Sequence, residues 1–333
     1  MNKPRILVIS SANIDFVQRM RRVPYSGETV VETELDYSYV PGGKGGNAAV
    51  AFARFGADTV FACKMGKDTN GKRLSAVYKY EGIDTNYILT DEELPTGLAS
   101  ILIEENGKNR IVVYPGANNA FKAEEIEETF NSLPDAVFLQ FELPDDTIIE
   151  ASRRASRAGI PLFVDAGPAR LDFPLGKLGR VEIFSPNEVE TRVYTGITPS
   201  NEENCLRAAI RLSSMVDAKY IVLKLGERGA FIYDGREYYT VPAEPVEAVD
   251  TTGAGDIFSA VMTYVYLANG NIVAAVKYAT CAAALSIQSE GAYPSIPTKD
   301  EVLAYVRAKL AAEAAAEQET PSDEEYYGED YYG

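Results

Sequence analysis

The chain has 333 residues, of which 46% are hydrophobic and 24% are charged, and its net charge at pH 7 is −17; this composition is typical of a globular protein with one large domain or two. The negative charge argues against a protein that binds a nucleic-acid backbone or an anionic membrane surface, and no apolar run reaches the roughly 18 residues that span a bilayer. Because the sequence contains no histidine, Ser-His-Asp and Cys-His catalysis and metal sites with His ligands are excluded, whereas oxygen-ligated cations such as Mg²⁺ stay possible.

The first predicted element is a buried strand over residues 6–9, a short run of branched apolar side chains. It leads to Asn13 and Asp15, just past a strand end, where α/β proteins bind ligands. Both residue types are also common in ordinary turns, so turn chemistry is the alternative interpretation. The apolar run is too brief for a signal peptide, and we therefore expect a cytoplasmic protein.

Two blocks of alternating polar and apolar residues predict exposed strands, one over residues 28–40 and one over residues 97–114. The second block contains Asn106-Gly107, a strong signal for a hairpin turn. Together the blocks predict a small β-sheet lid, from about 16–41 and 96–115.

Between these blocks lies the glycine-rich segment Pro41-Gly42-Gly43-Lys44-Gly45-Gly46-Asn47. We interpret it as a loop in which backbone and cation can approach a polar ligand closely. Apolar residues 48–55 follow as a helix that Gly56 ends.

From residue 59 onward, helix and strand patterns alternate. Helices are predicted over residues 71–80, 123–131, 145–157, 188–194 and 202–215, and strands over residues 59–63, 136–141, 161–164, 181–184 and 220–225. This alternation predicts an α/β fold with a doubly wound, mostly parallel sheet and helices on both faces. Polar side chains at the strand ends would meet at one edge of that sheet; they are Glu142, Asp165, Asn187 and Lys224.

A hairpin over residues 230–241 precedes three helices, predicted over residues 254–268, 272–289 and 299–317. We therefore assign residues 1–316 to one domain. The tail, residues 317–333, is acidic and rich in tyrosine, and we expect it to be disordered in isolation. The widely spaced cysteines are expected to be small buried residues; they are Cys63, Cys205 and Cys281.

The segment Asp250-Thr-Thr-Gly-Ala-Gly-Asp256 leads into an apolar helix. Thr251 or Thr252 is expected to cap that helix, whose N-terminal N–H groups favour an anion. Asp256 is either a base that accepts a proton from an attacking hydroxyl or an acid that complements the helix dipole. A Walker A loop is absent, and Phe258 stands at the position where a dinucleotide fingerprint needs its third glycine.

The order and spacing of three motifs resemble the ribokinase-like (PfkB) sugar kinases over roughly residues 5–310. They are Gly42-Gly43-Lys44-Gly45-Gly46-Asn47-Ala48, Asn187-Glu188-Val189-Glu190 and the segment 250–256. The chain departs from the family in having Gly45-Gly46-Asn47-Ala48 where Gly-Ala-Asn-Gln is usual, and in its acidic tail.

The resemblance implies transfer of the ATP γ-phosphoryl group to a sugar hydroxymethyl, with Asp256 as base and an anion hole formed by the N–H groups of Gly253, Ala254, Gly255 and Asp256. D-ribose is the first candidate substrate, and 2-deoxyribose, a fructose-type sugar and a nucleoside are alternatives. A non-catalytic sugar-binding protein is the alternative of another class. The positions that match the family's sugar site are Asn13, Asp15, Gly43, Lys44, Asn47, Glu142 and Asp256.

The same resemblance implies sites for ATP, Mg²⁺ and K⁺ and a homodimer formed through the lid. The ATP positions are Asn187, Lys224, Leu225, Gly226, Glu227, Arg228, Gly229, Gly255 and Thr280. Mg²⁺ would be held through water by Asn187 and Glu190. The K⁺ positions are Asp250, Thr252, Ser286, Ser289, Gly291 and Ser295.

Overall fold

A computed structural model describes residues 3–32 and 36–319, and its strands form two sheets. The strands are β1 (Arg5–Ile9), β2 (Asn13–Met20), β3 (Tyr37–Gly42), β4 (Asp58–Gly66), β5 (Ile88–Asp91), β6 (Gly97–Glu104), β7 (Asn109–Tyr114), β8 (Ala136–Leu139), β9 (Leu162–Asp165), β10 (Val181–Ser185), β11 (Ala218–Lys224), β12 (Ala230–Tyr233) and β13 (Tyr238–Val241).

The large sheet has nine strands in the order β13-β12-β11-β10-β9-β8-β1-β4-β5. It is parallel from β11 to β5, and β12 and β13 are antiparallel. From β1 the chain adds β4 and β5 on one side, and later β8 to β11 on the other. The crevice beyond the carboxyl ends of β1 and β8 is therefore a topological switch point, where α/β proteins bind ligands.

Helices cover both faces of this sheet, so the predicted doubly wound α/β fold is confirmed. They are α1 (Lys44–Arg54), α2 (Thr69–Tyr80), α3 (Ile126–Thr129), α4 (Asp145–Ala158), α5 (Glu188–Thr195), α6 (Glu202–Ser213), α7 (Ala254–Asn269), α8 (Ile272–Ser286), α9 (Ala292–Ser295) and α10 (Lys299–Glu319). Alternate β1 side chains enter different cores: Ile6 and Val8 pack with α1, α7 and α8, whereas Leu7 and Ile9 pack with α4 and α6.

The smaller sheet has the order β3-β2-β6-β7. The predicted hairpin turn is confirmed, because Gly107 joins β6 to β7 with φ 79° and its N–H donates to the Glu104 carbonyl. The strand predicted over residues 28–40 is observed over Tyr37–Gly42, and residues 33–35 of that prediction lie outside the described residues. Residues 25–28 instead form a turn in which the Glu28 carboxylate accepts from Tyr25 N–H.

Several predicted elements differ in detail from the structure. The segment 41–47 is not a loop throughout, because α1 begins at Lys44 and Gly43, with φ 80°, is its N-cap. The helix predicted over 123–131 is reduced to α3 between two 3₁₀ turns. Helix α10 runs to Glu319, so residues 317–319 of the predicted tail are helical, and its remainder lies outside the described residues.

All three cysteines are buried, as predicted. None of the helices within residues 3–32 and 36–319 has the length and apolar character needed to cross a membrane.

Candidate active site

The N-termini of α1 and α7 converge on the crevice at the ends of β1 and β8. Asp256 stands in the first turn of α7 and is 3% exposed. Asn47 Nδ2 donates to its Oδ2 atom at 2.9 Å, and Gln140 Nε2 donates to its Oδ1 atom at 3.1 Å. Lys44 Nζ lies 3.4 Å from Oδ1. Three donors, two from α1 and one from the end of β8, therefore fix the orientation of this carboxylate.

Burial raises the pKa of Asp256, and Lys44 opposes this increase. Asp256 in turn raises the pKa of Lys44, so the lysine stays charged. A buried carboxylate that must ionise needs such a partner, because desolvation favours its neutral form.

Glu142 occupies the N-terminus of α1. Its Oε2 atom accepts from Lys44 N–H at 3.1 Å and from the Ser11 hydroxyl. A carboxylate at this end of a helix is favoured by the helix dipole. This interaction joins the crevice after β8 to the segment after β1.

Asn13 and Asp15 belong to β2 rather than to a turn. Asn13 Oδ1 accepts from Asn118 Nδ2 at 2.8 Å. The Asp15 carboxylate lies against Gly42, where a Cβ would come within 2.2 Å of its Oδ2 atom. Burial raises the pKa of Asp15 to about 7, and Glu142 and Asp256 add to the increase. The structure thus brings Asp15 into the same electrostatic cluster as Asp256.

The predicted threonine cap of α7 is wrong. The N-cap is Gly253, in the left-handed region with φ 78°, and it makes no side-chain cap. Thr252 instead donates its hydroxyl to Asp250. The Ala254 N–H donates to the Thr251 carbonyl at 3.3 Å, whereas the N–H groups of Gly253, Gly255 and Asp256 have no hydrogen-bond partner among the described residues. This helix end can therefore accept an anion.

A cavity of about 490 Å³ lies beside the N-terminus of α7. Six predicted ATP positions line it: Lys224, Gly226, Glu227, Gly229, Gly255 and Thr280. Leu225 is instead buried, and the Arg228 guanidinium binds Glu188 and the Pro199 carbonyl. The apolar wall of the cavity includes Phe258, Ala283 and Ile287, a lining suited to a planar base.

Lys224 connects this cavity to the crevice that contains Asp256. Its Nζ atom donates to Asp165 Oδ1 at 2.6 Å and to Ser259 Oγ at 3.3 Å. The Nζ atom also lies 3.5 Å from where a Cβ on Gly255 would stand. A cation thus lies next to the free N–H groups of α7.

Asn187 and Glu190 form a capping box at the start of α5. Asn187 Oδ1 accepts from Glu190 N–H, and Glu190 Oε2 accepts from Asn187 N–H at 2.7 Å. Glu190 is buried, burial raises its pKa, and its Oε1 atom accepts no hydrogen bond from the described residues. No cluster of three or more potential metal ligands occurs within the part of the chain that the structure describes. This donor set fits a hydrated Mg²⁺ bound mainly by substrate phosphates, with a single protein carboxylate nearby.

Hydrogen bonds link several of the predicted K⁺ positions around Asp250. Asp250 accepts from Thr252 and from Gly291 N–H, and its own N–H donates to the Ile287 carbonyl, next to Ser286. The hydroxyls of Ser286 and Ser295 donate within their own helices. A cation here would be held by backbone carbonyls rather than by these hydroxyls.

Two residues of the site are not predicted from the sequence to belong to the catalytic group. Gln140 directly follows β8, and Asp165 is predicted only as a polar strand end. Gln140 Nε2 lies 3.1 Å from Asp256 and 3.4 Å from Asp165. The sequence signal for Gln140 is a polar residue directly after a buried strand.

Comparison with known proteins adds an independent result. The family model described as "pfkB family carbohydrate kinase" matches residues 3–299. The chain is 35% identical to a ribokinase of Bacillus subtilis, covering 89% of this chain and 97% of that one, and 31% identical to a deoxyribokinase of Salmonella typhi, covering 90% and 98%. It is 33% identical to a bifunctional ribokinase/ribose-5-phosphate isomerase A of Fructilactobacillus sanfranciscensis, over 90% of this chain but only 55% of that protein. The solved structure of Arabidopsis thaliana ribokinase complexed with ribose and ATP superposes with a TM-score of 0.82 at 28% identity, covering 91% of this chain and 99% of that one.

Proposed function

The chain belongs to the pfkB family of carbohydrate kinases, and we propose that it transfers the γ-phosphoryl group of ATP to the hydroxymethyl group of D-ribose, forming D-ribose 5-phosphate. Its similarity to ribokinases over their whole length supports ribose as the acceptor. The Arabidopsis relative was solved with ribose and ATP. In the present fold, the polar crevice suits a sugar and the cavity beside α7 suits ATP.

The observation that carries the proposal is the position of Asp256. It lies on α7 next to Gly255, between the polar crevice and the cavity that contains Lys224 and Thr280. A carboxylate offers about four lone-pair positions, and three are used by Lys44, Asn47 and Gln140. One position is left for a sugar hydroxyl.

Asp256 accepts the proton of that hydroxyl while the hydroxyl oxygen attacks the γ-phosphorus. The bond from the γ-phosphorus to the bridging oxygen breaks, and ADP leaves. The free N–H groups of Gly253, Gly255 and Asp256 stabilise the charge on the phosphoryl oxygens. Because the transition state of phosphoryl transfer is loose, positioning contributes more than a strong base does. The three donors to Asp256 supply that positioning.

The crevice suits a polyol because several of its polar groups can each bond a hydroxyl. They are the amides, carboxylates and ammonium group of Asn13, Asp15, Lys44, Asn47 and Glu142. The Gly43 N-cap lets the sugar approach the start of α1. A site built in this way discriminates against an analogue that lacks one hydroxyl.

ATP occupies the cavity beside α7, with its base at Thr280 and its phosphates at Lys224 and the helix N-terminus. The 224–229 segment and Asn187 border its phosphates. When bound, Mg²⁺ neutralises phosphate charge, and Glu190 would hold it through water. K⁺ is the proposed activator, beside Asp250 and Gly291. This use of ATP agrees with the cytoplasmic location expected from the sequence.

The small sheet serves as a lid over the sugar and as the surface of a homodimer. Every residue of β7 is exposed, including Ile111, Val112, Val113 and Tyr114. An unpaired apolar edge strand favours pairing with another chain. Closure over the sugar would exclude water from the phosphoryl group.

The test measures ADP release with ribose, 2-deoxyribose, fructose and nucleosides, with and without K⁺. We expect ribose to have the highest kcat/KM. The deoxyribokinase relative makes 2-deoxyribose the second candidate, and a preference for it or for another acceptor would overturn the ribose assignment.

The variant Asp256→Asn separates a kinase from a protein that only binds sugar. We expect kcat to fall by about 10²- to 10⁴-fold while ribose binding, measured by calorimetry, is retained. Asp300→Asn, at an exposed position of α10, is the matched control and should keep full activity. An equally active Asp256→Asn variant would remove the base from the mechanism.

A further inference from the structure

Gly46 occupies a position in α1 that alanine would normally fill better. It is buried in the first turn of the helix, and glycine is among the least favourable residues within helices. A glycine here therefore needs a packing reason. A Cβ on Gly46 would lie 2.7 Å from the Tyr78 hydroxyl, and the next nearest atoms are two Tyr78 ring carbons, at 3.6 and 3.7 Å. Only the hydroxyl oxygen thus excludes a side chain.

Tyr78 is held in place by packing. It is completely buried on α2, and its ring packs edge-on against Phe61 with the centroids 5.1 Å apart. Its hydroxyl has no hydrogen-bond partner among the residues that the structure describes. Burial raises its pKa, so the hydroxyl stays neutral. A tightly packed side chain of this kind cannot move away from α1 without disturbing the core.

The turn that Tyr78 contacts carries the groups that hold Asp256. Gly46 stands between Lys44 and Asn47, which bind the two oxygens of Asp256. The Gly46 N–H also donates to the Ser11 carbonyl at 3.1 Å. A shift of this turn would therefore move both donors relative to Asp256.

We propose that Gly46 and Tyr78 form a matched pair of positioning residues: the missing side chain at position 46 makes room for the Tyr78 hydroxyl, so the first turn of α1 keeps its depth in the acceptor crevice. This inference rests on the proposed function, because Lys44, Asn47 and Asp256 act there on the sugar. Tyr78 touches neither substrate nor reacting atoms in this proposal. It acts because its hydroxyl occupies the space that a side chain at position 46 would need.

A double-mutant cycle tests the pair, with wild type, Gly46→Ala, Tyr78→Phe and the double variant assayed on ribose and ATP. We expect Gly46→Ala to lower kcat/KM by about 10- to 100-fold, since small misplacements of catalytic groups have effects of this size. Tyr78→Phe should stay within about threefold of wild type. The double variant should return to within about threefold of Tyr78→Phe, because the remaining ring carbons lie at ordinary contact distance.

The matched control is Gly45→Ala. A Cβ there would lie 2.4 Å from the Ser11 carbonyl oxygen, so Tyr78→Phe should not rescue it. A Gly46→Ala enzyme within threefold of wild type, or a double variant as impaired as Gly46→Ala, would overturn the pair.

Thermal unfolding keeps the inference testable apart from the proposed function. We expect Gly46→Ala to lower Tm and the added Tyr78→Phe substitution to restore it, whatever the enzyme's acceptor is. If Gly46→Ala does not fold, a folded double variant still supports the pair, and an unfolded one contradicts it. If the wild type does not phosphorylate ribose but Tyr78→Phe still restores the Tm of Gly46→Ala, only the proposed function is refuted.

Discussion

At the scale of single residues, the site contains more carboxylates than cations. Two lysines, Lys44 and Lys224, lie among carboxylates from five different parts of the chain; these are Asp15, Glu142, Asp165, Glu190 and Asp256. Mutual repulsion and burial raise the pKa of several of these groups. The excess of negative charge suits a neutral polyol and a bound cation better than an anionic acceptor.

Asp15 makes the stability of the protein without ligand depend on pH. Burial raises its pKa to about 7 from 3.8, so between these values the folded state binds a proton that the unfolded state has lost. The stability that protonated Asp15 contributes is fully present below its unfolded pKa of 3.8 and is lost as pH rises to about 7. Between about pH 5 and about pH 8, we expect the free energy of unfolding of Asp15→Asn to rise relative to that of wild type by about 2.6 kcal/mol.

Denaturant titrations across this range provide the measurement. Asp300→Asn should track the wild type at every pH. A difference between Asp15→Asn and wild type that does not change with pH would show that Asp15 titrates normally.

Lys44 sets the pH at which Asp256 becomes a base. Burial raises the pKa of Asp256 and Lys44 lowers it, so Lys44→Met should raise this pKa further. The acid limb of the kcat profile should then move to higher pH, and kcat should fall. Lys67→Met removes an exposed lysine that pairs with Glu92, and its profile should match that of wild type. An unmoved acid limb would argue against Asp256 as the titrating base.

At the scale of elements, two helix N-termini meet at one crevice. The end of α1 is occupied by the Glu142 carboxylate, whereas the end of α7 keeps N–H groups unpaired within the described residues. In the proposed mechanism, this asymmetry favours the sugar at the first helix and the phosphoryl group at the second. The small sheet contributes Asn13 and Asp15 from β2, and it presents β7 on its outer edge.

The β7 edge is the element on which the proposed homodimer depends. Val112→Lys places a charge within its exposed apolar run, and charged side chains at sheet edges oppose pairing. We expect the dimer dissociation constant to rise at least about tenfold, measured by sedimentation equilibrium. Ile210→Lys alters an exposed position of α6 and should leave the constant unchanged. Equal effects of both variants would exclude β7 from the interface.

At the scale of the whole molecule, the net charge of −17 and the proposed K⁺ site predict two separate responses to salt. Raising NaCl or KCl from about 10 to about 200 mM should increase Tm to a similar extent, because both screen repulsion between surface charges. The kcat value should rise with KCl alone, through the carbonyls near Asp250 and Ser286. An equal rise of kcat in both salts would contradict the potassium assignment.

The sequence by itself determined the fold class, most element positions, and the presence of Asp256 at the start of a helix, because hydrophobic periodicity and turn residues act over short distances. It also predicted the polar strand ends that line the crevice. It did not predict the start of α1 at Lys44 or the glycine cap of α7, since both depend on what each helix end contacts.

Only the tertiary structure decided which side chains share the site. Gln140 bonds Asp256 across 116 positions of sequence, and Tyr78 fills space beside Gly46 from another helix. Such contacts follow from the order of strands in the sheet and from the packing of helices upon it. Local patterns specify neither, because each arises from burial that many distant residues share.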